Sequence, residues 1–156
     1  MPELECASLT DLYEVATWIN SSSQCRQWAG PRVSYPIYTQ QLAQQIEWSD
    51  TEAFRLCQNE ELIGFGQIVS KPNNRFHFAR LIINPSRRGK GHGYGLVNAL
   101  LSMALKRKPR IISLNVFRQN KPAITIYDAL GFVAAVPEGD DLSSEVQYMV
   151  YKTDGI

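Results

Sequence analysis

The chain has 156 residues, 44% of them hydrophobic and 20% charged, with a formal net charge of +1. That is enough for about one domain, residues 1–156, burying roughly 70% of its extended surface without a disulfide or metal staple. A charge so near balance excludes a general electrostatic attraction to nucleic acid or to a membrane, so any strong positive potential must be local.

Cys6, Cys25 and Cys57 are far apart and lack Cys-x-x-Cys spacing, which points away from a disulfide framework and from a zinc site. Met1-Pro2-Glu3-Leu4-Glu5 lacks the basic start and apolar core of a signal peptide, and no run approaches ~20 apolar residues. An unexported, cytoplasmic protein is expected.

Leu4 to Ala7 reads as a short strand. Ser8 and Asp11 then form a capping-box-like pair ahead of Leu9, Leu12, Val15, Ala16 and Ile19 at helical spacing, which predicts a first helix to about Ile19. From Asn20 to Ile37 the pattern dissolves into Ser-Ser-Ser, Gly30-Pro31 and Pro36, yet carries Trp28 and Tyr35, so a shaped loop is predicted there. Leu42, Ala43 and Ile46 place a second helix from near Thr39 to Trp48–Asp50.

Ala53–Gln58, Leu62–Ser70 and Arg75–Ile83 read as an antiparallel meander, turned at Asn59-Glu60-Glu61 and Pro72-Asn73-Asn74. A helix apolar on nearly all sides follows from Gly93 to Lys108, its end suited by Lys106, Arg107 and Lys108 and stopped by Pro109. Strand 111–117 leads to a helix with Asn120 as N-cap, Pro122 in its first turn and Gly131 at its close. Phe132–Val136 and Val146–Tyr151 are the last strands, joined by the acidic loop Glu138 to Glu145.

The densest chemical signal is Arg88-Gly89-Lys90-Gly91-His92-Gly93-Tyr94-Gly95, four glycines and two cations between a strand and an apolar helix. Glycine lets backbone N–H groups converge, and the helix adds the positive end of its dipole, so the segment suits a phosphate or diphosphate. A P-loop needs Ser or Thr after Gly-Lys, but Lys90 is followed by Gly91. A dinucleotide fingerprint needs a third glycine three residues after the second, yet Tyr94 and Leu96 stand at those places.

Arg-x-x-Gly-x-Gly does fit, with Arg88, Gly91 and Gly93 in the fixed positions. With Asn120, Ala123, Tyr127 and Gly131-Phe132 downstream and Ile111–Val116 between, residues 76 to 132 resemble the GNAT acyltransferases and their acetyl-coenzyme A loop. The resemblance implies an α/β fold of the acyl-CoA N-acyltransferase type: a mixed, mostly antiparallel sheet of six to seven strands with helices on both faces. It also implies acetyl-CoA as acyl donor, no metal, and direct transfer of acetyl to a primary amine through a tetrahedral intermediate. The acceptor is a small molecule or a protein, with neither nucleic acid nor membrane as partner, and the protein a monomer or homodimer. A rival of another class is a non-catalytic acyl-CoA sensor.

On the same resemblance, Gly89, Lys90, Gly91, His92, Gly93 and Tyr94 cradle the diphosphate beside Arg88. The pantetheine arm lies along Leu81, Ile82 and Ile83, where the strand splays from 111–117 and binds the arm like an added strand, with Pro85 ending the pairing. An amide near Leu81 would hold the oxyanion, and Asn120 starts the last helix. Tyr127 is the expected general acid, although Ala123, Ile126, Tyr127 and Leu130 also share one helical face as core residues do.

For the base, counting back from Arg88 places His77 where several protein-acetylating members of the family carry a catalytic Glu. Strand alternation puts it on the face of Ala79, Leu81 and Ile83. Glu52 is a weaker candidate, and His92 reads as a spacer or phosphate neighbour. The acceptor pocket is expected around Trp18, Trp28 and Tyr35 with the acidic residues Glu138, Asp140, Asp141 and Glu145, a combination suited to a cationic amine.

Overall fold

The computed structural model describes residues 1–137, 139 and 142–153. Strand β1 (Glu3–Cys6) is followed by α1 (Leu9–Ala16), α2 (Ser22–Ala29) and α3 (Thr39–Gln45). The meander β2 (Glu52–Gln58), β3 (Glu61–Lys71) and β4 (Arg75–Ile83) leads into α4 (His92–Leu105). Strand β5 (Ile111–Phe117), α5 (Lys121–Leu130), β6 (Val133–Ala135) and β7 (Val146–Lys152) complete the order. The strands form one seven-stranded sheet in the order β1-β2-β3-β4-β5-β7-β6. Among the described residues only β4 and β5 pair in parallel; the other neighbours are antiparallel. Among the described residues no helix is long and apolar enough to cross a membrane.

Local chemistry accounts for most boundaries. Ser8 and Asp11 form the full capping box ahead of α1, and the hairpins turn on Asn59–Glu60 and Asn73–Asn74, all four at positive φ, a conformation that asparagine tolerates better than most residues. The stretch 20–37 departs from the predicted loop. Ser21 caps α2 by accepting from the Gln24 amide, and Cys25, Trp28 and Ala29 are buried on one side of it. Only two turns of a Ser- and Gln-rich helix expose too little apolar periodicity to be seen without the sheet they pack on.

The sheet separates two cores. Under α4 and α5 lie Phe54, Ile68, Phe78, Leu100, Ile112, Leu114 and Phe132. Under α1 to α3 lie Leu12, Trp18, Trp28, Leu42, Ile46 and Phe65. Gly66 of β3 lets the first layer close: a Cβ there would meet Leu81 Cδ2 at 2.7 Å and Leu100 Cδ1 at 3.3 Å.

The parallel ladder runs only from Arg75↔Ile111 to Phe78↔Leu114. Beyond it, Ala79–Ile83 pair with β3 alone and Asn115–Phe117 with β7 alone, so the two strands part as a V. The cause is not Pro85, which opens a short 3-10 turn well past the split. The register of β4 against β3 shifts between Phe65↔Ile82 and Gln67↔Ala79, leaving Arg80 and Leu81 opposite the single residue Gly66. Arg80 takes φ 53°, and such a bulge bends and twists its strand away from its neighbour.

Leu100→Ala removes a fully buried side chain where both walls of the first core meet. A loss of about 2–5 kcal/mol is expected, seen as a lower urea midpoint at unchanged slope.

Candidate active site

The V opens into a cleft of about 590 Å³. Leu81, Ile82 and Ile83 form one wall, and Asn120, Pro122, Ala123, Ile126 and Tyr127 at the start of α5 form another. Trp18 and Ile19 after α1, with Gln24, Gln27 and Trp28 of α2, close a third side. Arg88, Gly89, Gly91, His92 and Gly93 line the mouth. Lys90, Tyr94, Tyr35 and His77 do not line this cleft, and the first three of these are exposed.

At the mouth the backbone is arranged for an anion. Gly89 and Gly91 take φ 78° and 83°, Gly91 as the N-cap of α4, a conformation that costs glycine little. Among the described residues no backbone carbonyl meets the amides of Gly89 to Tyr94 at hydrogen-bond geometry, and they lie at the positive end of a 14-residue helix. Arg88 Nε donates to the Ile83 carbonyl at 3.2 Å, folding the loop back on β4. Arg87 is engaged by Glu61, which leaves Arg88 as the nearer uncommitted charge. This arrangement can hold a diphosphate.

Helix α5 reaches the cleft because Gly93 has no side chain: a Cβ there would stand 3.0 Å from Ile126 Cδ1. Asn120 accepts from the Ala123 amide at 3.3 Å, the cap read from sequence. One turn on, Tyr127 is 8% exposed, and its ring meets Phe132 edge-on at 6.0 Å. Burial pushes its phenol up to about 12. It therefore remains a proton donor through neutral pH, and its hydroxyl has no hydrogen-bond partner among the described residues while its side chain lines the cleft.

His77 sits differently from expectation. The bulge interrupts alternation after Ala79, so Leu81 and Ile83 pack with the core beneath α4, while His77 stays on the opposite face. There it shares a 2.7 Å hydrogen bond with Ser113 Oγ. Burial first, then the charges of Lys71 and Arg80, lower its pKa from 6.5 to about 4. Glu52 is paired with Arg107 at 2.7 Å. Of the acidic group, Glu138, Asp140 and Asp141 lie outside the described residues, and Glu145 pairs with Arg26 at 2.9 Å.

Two features that shape the site are absent from the sequence reading: α2 as a wall, and the bulge at Arg80 just before Leu81. The second left a trace, because the apolar positions of β4 change parity from Phe76 and Phe78 to Leu81 and Ile83, the mark of an inserted residue.

The model of the Acetyltransferase (GNAT) family matches residues 15–132. The chain belongs to that family. A curated relative, mycothiol acetyltransferase of Corynebacterium glutamicum (strain R), is 26% identical over 121 residues, covering 77% of this chain but 41% of its own length. The chain thus spans less than half of that relative. Among solved structures, the spermidine N-acetyltransferase from Vibrio cholerae in complex with CoA and spermine superposes with a TM-score of 0.76 at 20% identity, over 97% of this chain and 95% of the other. The ribosomal-protein-S18-alanine N-acetyltransferase from Escherichia coli gives 0.72 at 20% identity, over 97% and 94%. These likenesses establish the fold, a GNAT sheet with its central strands parted.

His77 sets a dependence of stability on pH. The folded protein takes up its proton near pH 4 and the unfolded chain near 6.5, so the contribution is complete above 6.5 and is lost as pH falls toward 4, on the order of 3 kcal/mol in full. Urea midpoints measured at pH 7.5 and 5 should differ more for the wild type than for His77→Gln. Equal differences would show that the imidazole titrates normally.

Proposed function

We propose that the chain is an acetyl-CoA-dependent N-acetyltransferase that moves acetyl directly to a primary amine. The observation that carries this is the parted V with helix-terminal amides at its mouth and a buried tyrosine on its wall. The diphosphate rests on Gly89 to Gly93 beside Arg88, with Lys90, His92 and Tyr94 around it, and the pantetheine arm runs along Leu81 to Ile83. The amine's lone pair attacks the thioester carbonyl, whose oxygen takes the charge against an amide near Leu81. As the C–S bond breaks, Tyr127 gives its proton to the thiolate.

His77 lies outside the cleft and burial lowers its pKa to about 4, so in this proposal the ammonium proton leaves through water and not to that imidazole. Without a strong base among the described residues of the cleft, an amine that is already partly neutral is favoured. Presenting an amine of pKa ~10.4 costs about 4.6 kcal/mol at pH 7, against about 1 for an α-amine near 7.8. Trp18 and Trp28 would flank the acceptor, whereas Tyr35 is exposed and outside the cleft. Free thiols at Cys6, Cys25 and Cys57 fit the cytoplasmic location proposed here.

Mixing the protein with acetyl-CoA and an amine panel, and following free thiol, tests the assignment. Turnover should fall roughly 100-fold or more in Tyr127→Phe while calorimetric coenzyme A affinity stays within error of the wild type. Tight coenzyme binding with no turnover on any amine would favour a sensor instead. A second measurement concerns pH: kcat/KM should rise toward the acceptor's own pKa without an inflection near 6.5. An inflection there that vanishes in His77→Gln would show an ordinary catalytic imidazole.

A further inference from the structure

The near balance of charge over the whole chain conceals one crowded end. Lys71 closes β3 and pairs in register with Arg75 at the start of β4; Arg75 pairs with Ile111 of β5, and Ile111 with Lys152 of β7. Residues aligned across a sheet share a face, so three cations stand in one row over four neighbouring strands, a span of about 14 Å. The turn from α4 to β5 brings Lys106, Arg107, Lys108 and Arg110 to the same end. Its backbone is tied to the β3–β4 hairpin: the Arg110 amide donates to the Asn74 carbonyl at 2.8 Å, and Asn74 Nδ2 to the Lys108 carbonyl at 2.9 Å. Thr153, beside Lys152, donates through Oγ1 to the Arg110 carbonyl at 3.0 Å. Two turns and a strand end thus form one braced platform.

Seven of the chain's 16 Lys and Arg residues gather there. Of the ion pairs among the described residues, only Arg107 with Glu52 involves one of them. Arg107 is further engaged over the Phe76 ring, 4.4 Å from its centroid. Lys71, Lys106, Lys108, Arg110 and Lys152 are exposed, and Arg75 is half-buried. Cations at a helix C-terminus offset its dipole, which accounts for Lys106 and Lys108. Lys71, Arg75 and Lys152 end strands, where no comparable dipole exists. Like charges held side by side repel one another until an anion joins them.

What else the platform carries decides the kind of anion. A stable protein interface has an apolar core, yet no large hydrophobic side chain of 71–75, 106–111 or 152–153 is exposed. Nucleic-acid interfaces are more polar and much more positive. With no exposed aromatic ring in these segments to stack on a base, phosphates are what the side chains can meet. We propose that this end of the sheet docks on the phosphate backbone of a nucleic-acid duplex, without regard to its sequence. It lies at the far end of the 14-residue helix α4 from the glycine loop, about 20 Å away, so docking leaves the cleft open and does not depend on the transferase assignment. The expectation of no nucleic-acid partner rested on total charge, which does not register where the charges sit.

The test is anisotropy of a fluorescein-labelled RNA hairpin titrated with the full chain, with and without coenzyme A. A dissociation constant of about 1–100 μM is expected near physiological salt, and log affinity should fall against log salt with a slope on the order of −4. Lys106→Glu, Lys108→Glu and Lys152→Glu combined should weaken binding about 10-fold or more at low salt and flatten the slope by about 3; each Lys→Ala alone should flatten it by about 1 at an unchanged urea midpoint. A hairpin of scrambled sequence should bind equally, and Arg88→Ala should leave the affinity unaltered. Loss of binding in Arg88→Ala or with coenzyme A would place the anion in the glycine loop and overturn the proposal. It is overturned equally by an affinity that the combined variant leaves intact, or by no binding at about 50 mM salt. Polyglutamate bound as tightly as the hairpin would point to an acidic protein instead.

Discussion

The parting of β4 from β5 after Phe78 and Leu114 is the constraint on which the site depends. Two adjacent strands in one sheet ordinarily satisfy each other's amides, and a buried amide without a partner is costly. Here the bulge turns the last residues of β4 away from β5, and it is secured from two sides. Trp28 holds the carbonyl of Arg80, and Gln67 holds its side chain. A cleft with free backbone edges is thereby built into a sheet that is otherwise closed.

Two independent cores make the division of labour possible. The layer beneath α4 and α5 fixes one side of the cleft, where the bare backbone of Gly93 lets α5 approach α4 and brings Tyr127 to the cleft. The layer beneath α1 to α3 fixes the other side and contributes Trp18 and Trp28. The strand between them serves both, so a one-residue insertion in β4 decides which of its side chains belong to which layer.

Charge follows the same geometry. The positive end of α4 and Arg88 stand at the mouth, whereas on the opposite face burial first, and then the charges of Lys71 and Arg80, keep His77 unprotonated. The acidic residue of the loop before β7 that the structure describes, Glu145, is occupied by Arg26.

Much of the molecule was legible without coordinates. The meander, the apolar helix α4, the Asn120 cap and the glycine loop are local: each follows from periodicity or turn chemistry within a few residues, and order and spacing then point to the family. Helix α2 was not legible, since two polar turns become a helix only when Cys25 and Trp28 find the sheet. The length of the β4–β5 ladder and the face of His77 were likewise undetermined. They depend on how β4 pairs with β3, and a single inserted residue reverses every side chain beyond it. The sequence by itself determined most of the elements and that a glycine-rich loop with two cations precedes α4. Tertiary structure alone decided where the sheet splits and which groups face the split, because both are properties of register between strands rather than of any one strand.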